Sequence, residues 1–204
     1  MSERCCQTEP DFTGASPAYR RALWLVIVIN GGMFVVETTA GALSGSQALQ
    51  ADALDFLGDT ATYGISLWAI GKPLATRSKV ALFKGFSLAA MGLWVLGLTA
   101  WHVLVQGVPE AEVMGAVGAL ALAANLASVF LLLRFRSGDA NVRSVWLCSR
   151  NDAIGNVAVM AAAGGVWLTA SAWPDLAVAA IMAALFLWSS LQIIRQAKRE
   201  QTRD

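Results

Sequence analysis

The sequence predicts an all-α integral membrane protein, a bundle of six transmembrane helices with both termini in the cytoplasm. Three observations carry that prediction. Hydrophobic residues make up 56% of the 204 and charged residues only 14%, against about 25% charged in a soluble domain. Mean hydropathy is +0.56, more apolar surface than so short a chain hides in one core. The basic residues gather in alternate loops, as the positive-inside rule requires. The same composition excludes intrinsic disorder. A net charge of +1 leaves no basic surface for a nucleic acid. Three cysteines and one histidine are too few for a disulfide framework or a zinc-finger array.

Six apolar stretches reach the roughly 20 residues that cross a bilayer. They run 22–44, 47–70, 80–105, 113–133, 144–170 and 175–194. Residues 1–21 are expected to form a cytoplasmic tail, too long and too acidic for a signal-peptide n-region, so the first span stays in the mature protein. Ser44-Gly45-Ser46 is a tight turn between the first two spans. Lys72-Pro73 opens a basic loop before the third span, and Gly107-Val108-Pro109 closes it. Arg136-Ser137-Gly138-Asp139 separates the fourth and fifth spans, and Ser171-Ala172-Trp173-Pro174 the fifth and sixth. Gly, Pro and Ser clusters of this kind are turn chemistry. Residues 195–204 are a short polar cytoplasmic tail.

Orientation comes from Lys and Arg. Arg4, Arg20 and Arg21 precede the first span; Lys72, Arg77, Lys79 and Lys84 lie around the second loop. Arg134, Arg136 and Arg143 flank the fourth loop, and Arg195, Lys198, Arg199 and Arg203 follow the sixth span. The opposite loops hold Glu110, Glu112 and Asp175 and no Lys or Arg. Trp24, Trp68, Trp146 and Trp188 fall near the inner ends, and Trp101, Trp167 and Trp173 near the outer ones, as interfacial aromatics do.

Carboxylates inside such spans are costly, roughly 3 kcal/mol each on insertion scales, so each asks for a partner or a task. They are Glu37, Asp52, Asp55, Asp59 and Asp152. Asp52, nearest the outer end of its span, is expected to face water, or to cap a helix or pair with a cation. Asp55 and Asp59 are four apart and share one helix face. The fifth span runs the other way and offers Cys148, Arg150, Asn151, Asp152 and Asn156. Cys148 and Asp152 are again an i, i+4 pair, and Asn156 extends that face. Two antiparallel helices, each with two ligands one turn apart, can close four ligands around one ion, the number a tetrahedral site needs. The plainer readings stand beside this one. Cys148 by itself is a small core hydrophobe, and Arg150 either neutralises a carboxylate or reaches for the cytoplasmic interface.

At these residues the sequence resembles the cation diffusion facilitator family of divalent-metal transporters. The first half carries Asn30, Glu37 and the run from Gly41 to Asp59, similar to the family's first loop and second helix, which ends in His or Asp, three residues, then Asp. The second half carries Cys148-Ser149-Arg150-Asn151-Asp152-Ala153-Ile154-Gly155-Asn156, similar to the family's fifth helix with its His, three residues, Asp. The resemblance implies a transport site of Asp55, Asp59, Cys148 and Asp152, a homodimer, and no resident cofactor. Cys148 stands where the family has His. Thiolate leans toward Zn²⁺ or Cd²⁺, whereas an oxygen from Asn151 or Asn156 suits Co²⁺, Fe²⁺ or Mn²⁺. The sequence is expected to be a short form of the family, without its C-terminal cytoplasmic domain.

The expected function is export of a divalent metal, Zn²⁺ foremost and Cd²⁺ or Co²⁺ besides, in exchange for protons across the lipid bilayer. A crowded carboxylate site without its ion holds protons, metal displaces them, and alternating access makes the exchange an antiport. Glu37, Asn30 and Asn125 are candidate pathway groups, or simply interhelical hydrogen bonders. Cys5 and Cys6 are either a flexible metal-capturing dithiol or an idle tail feature. His102 is expected at the outer interface. The competing readings are a static metal-sensing site and a proton-coupled organic-cation carrier. A membrane enzyme is disfavoured, since no Ser/His/Asp set or cofactor motif is present.

Overall fold

The computed structural model describes residues 16–68, 74–105, 107–135 and 140–201, without the side chains of 74–81, Lys84, Val105, 140–148, Asn151 and 196–201. Among the described residues there are six α-helices: α1 (Pro17–Ser44), α2 (Gln47–Trp68), α3 (Leu74–Val105), α4 (Ala111–Leu132), α5 (Ala140–Thr169) and α6 (Trp173–Gln201). A 3₁₀ turn, Leu133–Phe135, extends α4. All but α2 are long and apolar enough to cross a membrane, by length and composition. Three aspartates place α2 below that mark.

The ends differ instructively from the apolar stretches. Helix α1 starts at Pro17, α3 at Leu74 and α5 at Ala140, while α6 runs on to Gln201. Each extension is polar. Helical hydrogen bonding satisfies the backbone in water as well as in lipid, so a helix need not stop where its hydrophobic run stops. At the start of α1, Ser16 Oγ accepts from Tyr19 N at 3.2 Å and Pro17 occupies the first helical position, the ordinary N-terminal signals.

Helices α1, α2, α4 and α5 form one group: α1 packs on α2 and α4, and α5 on α4 and α2. Helices α3 and α6 form a second, tightly packed pair that touches the group mainly through α2 and α5. Glycines make the close pair possible. A Cβ on Gly85 would lie 2.7 Å from Ile194 Cγ1, and one on Gly92 3.0 Å from Leu187 Cγ, both on α6. Gly118 of α4 similarly faces Met160 of α5, at 3.3 Å. These small residues are therefore used inside the chain; Gly97 has open space around it.

The interior is layered along the bundle. At the end holding the start of α1 and the end of α4, Tyr19, Leu23, Val26, Tyr63 and Leu132 form an apolar plug, with the Tyr19 and Phe135 rings edge-to-face at 5.3 Å. Arg20, Arg21, Arg134 and Arg195 are exposed at the corresponding helix ends, so the basic residues gather at one end as expected. Toward the opposite end, small and medium apolar residues pack together, including Leu49, Met114, Val159, Ala163, Ala183 and Phe186. Between the two lies a layer where polar groups mix with Met33, Phe56 and Ala121. The outer surface is apolar, with Trp24, Trp94, Trp101, Trp167, Trp173 and Trp188 all largely exposed, as a lipid-facing surface requires.

Gly45, with φ of +73°, ends α1 in the left-handed region that glycine enters without strain. The next residues are held from a distant helix. Asp175, fully buried at the start of α6, accepts from Ser46 Oγ at 2.6 Å, Gln47 N at 2.7 Å and Ala48 N at 3.0 Å. Ser46 Oγ in turn accepts from Leu49 N at 3.1 Å. A residue expected in a polar outer loop is thus the cap of α2, because the free N–H groups of a helix start attract a carboxylate.

Candidate metal centre

The middle layer brings together groups from four helices. Asp55 and Asp59 lie one turn apart on α2, Asp55 half-buried and Asp59 buried. From α5, Asp152 stands near Asp55, and Asp59 is near enough to act on Asp55 electrostatically. Among the described residues no three His, Cys, Asp or Glu side chains converge as a ready-made ion cage. The arrangement is a close interhelical pair, Asp55 with Asp152, and a neighbouring third carboxylate. A dication approaching it meets oxygens from two helices whose mutual repulsion it relieves.

The side chain of Cys148, the expected fourth ligand, lies outside the described residues, as does that of Asn151. Cys5 and Cys6 also fall outside them. Asn156 is fully buried on α5, and among the described residues neither its Nδ2 nor its Oδ1 has a hydrogen-bond partner. A buried amide in that state is rare and fits a group that serves an ion, water or proton at this level. Arg150 is exposed, in keeping with a side chain that reaches for the surface.

A second pair of carboxyls sits beside the first. Glu37 of α1 and Asp52 of α2 are 0% and 2% exposed and near enough to act on one another electrostatically. Asp52 is therefore not the water-facing residue its position suggested, because α1 packs along α2 and covers it. Among the described residues Glu37 Oε1 and Oε2 and Asp52 Oδ2 have no hydrogen-bond partner. Asn30, on the same face of α1 as Glu37, donates from Nδ2 to Val26 O at 2.8 Å and leaves Oδ1 without a donor. Asn125 of α4 is buried and its Oδ1 likewise lacks a donor, so interhelical bonding by that oxygen is absent among the described residues.

Two neighbours of Asp59 carry no mark in the sequence. The Tyr63 hydroxyl donates to Asp59 Oδ2 and lies 3.2 Å from Ser149 Oγ on α5. The available signal was the i, i+4 spacing of Asp59 and Tyr63, easily taken for one more aromatic in an apolar span. At the far end, His102 bonds through Nδ1 to Leu98 O at 3.0 Å. It lines a cavity of about 310 Å³ with Ser44, Gly45, Trp101, Gly107 and Pro109.

Comparison with known proteins points the same way. The cation efflux transmembrane domain matches residues 23–200. The chain is 28% identical over 174 residues to the metal cation efflux system protein CzcD of Cupriavidus metallidurans, covering 79% of this chain and 55% of that one. It is 28% identical over 193 residues to the zinc transporter ZitB of Yersinia pestis, covering 88% and 62%. With a cadmium, cobalt and zinc/H(+)-K(+) antiporter of Bacillus velezensis it shares 23% over 197 residues, covering 89% and 62%. The chain thus spans little more than half the length of these relatives.

Proposed function

The chain belongs to the cation diffusion facilitator family of cation efflux proteins, and on that premise we propose that it exports a divalent transition metal from the cytoplasm in exchange for protons. Asp55 of α2 against Asp152 of α5, with Asp59 one turn away, is the observation that carries the reading. Three carboxylates at mid-membrane depth have no use in a merely structural bundle that would justify their cost. The proposed ligands are Asp55, Asp59 and Asp152, with Cys148 completing the set. Zn²⁺ is the first cargo, with Cd²⁺ or Co²⁺ also accepted; the names of the relatives support that choice, and so does thiolate softness.

The chemistry comes from the donors. Carboxylate and thiolate must lose their protons to bind metal, so metal and protons exclude one another at the site. Exposing the site alternately to each side then couples outward metal to inward protons. The division into a four-helix group and an α3–α6 pair supplies two bodies that can move past one another. The proposed setting is a bacterial inner membrane, with both termini in the cytoplasm and two copies forming a homodimer. A Cys5–Cys6 dithiol on the cytoplasmic side would deliver metal to the cavity.

The test is metal flux into reconstituted vesicles carrying an internal pH dye, for the wild type and Asp55→Ala. Expected are Zn²⁺ flux with proton counterflow in the wild type and loss of both in the variant. Metal binding without flux would replace the transporter by a static sensor. An organic-cation flux untouched by Cys148→Ala, with no metal flux, would point to the carrier reading.

A further inference from the structure

We propose that Tyr63 is a positioning residue that governs how Asp59 binds the transported cation, and thereby which cation the protein prefers. The inference rests on the reading of Asp59 as a ligand. Its observations are geometric. Tyr63 stands one turn beyond Asp59 on the same face of α2. Its ring is fully buried in the apolar plug with Tyr19, Leu23, Val26 and Leu132. Its hydroxyl donates to Asp59 Oδ2 and lies 3.2 Å from Ser149 Oγ on α5, itself 1% exposed. A phenol has one proton and accepting lone pairs. With the proton given to Asp59, the oxygen accepts from the Ser149 hydroxyl. Packing fixes the ring and two helices fix the hydroxyl, so the position of Asp59 Oδ2 is set by the plug as well as by its own rotamer.

The consequence concerns denticity. One oxygen of Asp59 is committed to Tyr63. A cation that takes both oxygens must share Oδ2 with the Tyr63 hydroxyl and turn the carboxylate out of the position that the plug and the Tyr63–Ser149 contact set for it. A cation that takes one oxygen need not. Zn²⁺ is satisfied with four ligands at short distance. Larger, harder cations fill six or more positions with oxygen and gain from bidentate carboxylates. Tyr63 therefore penalises the oxygen-seeking, higher-coordinate class, of which Mn²⁺ is the transition-metal probe, and leaves Zn²⁺ untouched.

The experiment measures Zn²⁺ and Mn²⁺ binding by titration calorimetry on the full chain in detergent, for the wild type, Tyr63→Phe, Ser149→Ala and Asp55→Ala. Tyr63→Phe keeps the ring in the plug and removes only the hydroxyl. It is expected to lower the Zn²⁺-over-Mn²⁺ affinity ratio roughly tenfold or more, the scale of one hydrogen bond to a charged group, chiefly by strengthening Mn²⁺. Ser149→Ala, which leaves the fold of the plug alone, is expected to move the ratio the same way by less. A ratio unchanged in both variants, or equal losses for both metals, would overturn the proposal as a purely structural effect. Failure of the transport-site reading shows separately. If Asp55→Ala binds both metals like the wild type, or the wild type binds neither, the carboxylates between α2 and α5 are not the binding site and the inference falls with it.

Discussion

Replacing Asp175 by alanine removes the cap of α2 and the polar tie between the α3–α6 pair and the other four helices. The carboxylate accepts from Ser46 Oγ at 2.6 Å and from the backbone N–H groups of Gln47 and Ala48 at 2.7 and 3.0 Å, all in a fully buried setting. Each hydrogen bond to a charged group contributes about 1.5–3 kcal/mol. The three share one acceptor and are not additive. The Ser46 hydroxyl can turn to another acceptor, whereas the two backbone N–H groups cannot. Their loss of a buried acceptor costs about 1–3 kcal/mol each, and the release of a buried charge gives part of that back. The net destabilisation is about 3 kcal/mol, above the roughly 0.5–2 kcal/mol of an ordinary lost helix cap because two backbone N–H groups lose a buried acceptor at once. For a chain of this size that corresponds to a fall of roughly 6–12 °C in melting temperature. Circular dichroism at 222 nm on the detergent-solubilised protein reads it. Asp175→Asn keeps one carbonyl acceptor without the charge and belongs between the two. A melting temperature for Asp175→Ala within about 2 °C of the wild type, or an Asp175→Asn variant weaker than Asp175→Ala, would refute the capping argument.

Two further outcomes are expected. Glu37→Gln replaces one of two neighbouring buried carboxyls by a neutral amide of the same size, so thermal stability is expected to stay level or rise, while Glu37→Ala leaves a cavity and lowers stability by about 2–4 kcal/mol; a Gln variant melting as low as the Ala variant would exclude repulsion between the two carboxyls. Gly165→Ala would place a methyl 2.8 Å from Pro174 Cβ and 3.0 Å from Cγ, where a rigid ring cannot yield, and is expected to cost about 1–3 kcal/mol of stability. Wild-type melting behaviour in that variant would mean α5 and α6 meet differently at their hairpin.

The carboxylates of the candidate site were legible because spacing and cost are properties of the linear chain. Asp55, Asp59 and Asp152 stand out in any apolar run, and a four-residue interval places two of them on one helix face whatever surrounds the helix. Tyr63 and Ser149 do not stand out in this way. An aromatic and a hydroxyl are ordinary in a membrane helix, and it is the fold that sets the Tyr63 hydroxyl between Asp59 on its own helix and Ser149 on α5.

The sequence by itself determined the features set by periodicity, hydrophobic length and charge: the helices, their order, the end that gathers Arg20, Arg21, Arg134 and Arg195, and the acid pair on α2. Only the tertiary structure decided which faces meet. It buried Asp52 against Glu37, turned Asp175 from a loop residue into the cap of a helix whose Ser46 lies 129 positions earlier in the chain, and spent Gly85 and Gly92 on α6. The physical reason is that a helix displays its pattern in every direction at once. Which stripe is core, which is lipid-facing and which polar groups find each other depends on the neighbouring helix, and that neighbour is selected by the packing of the whole bundle.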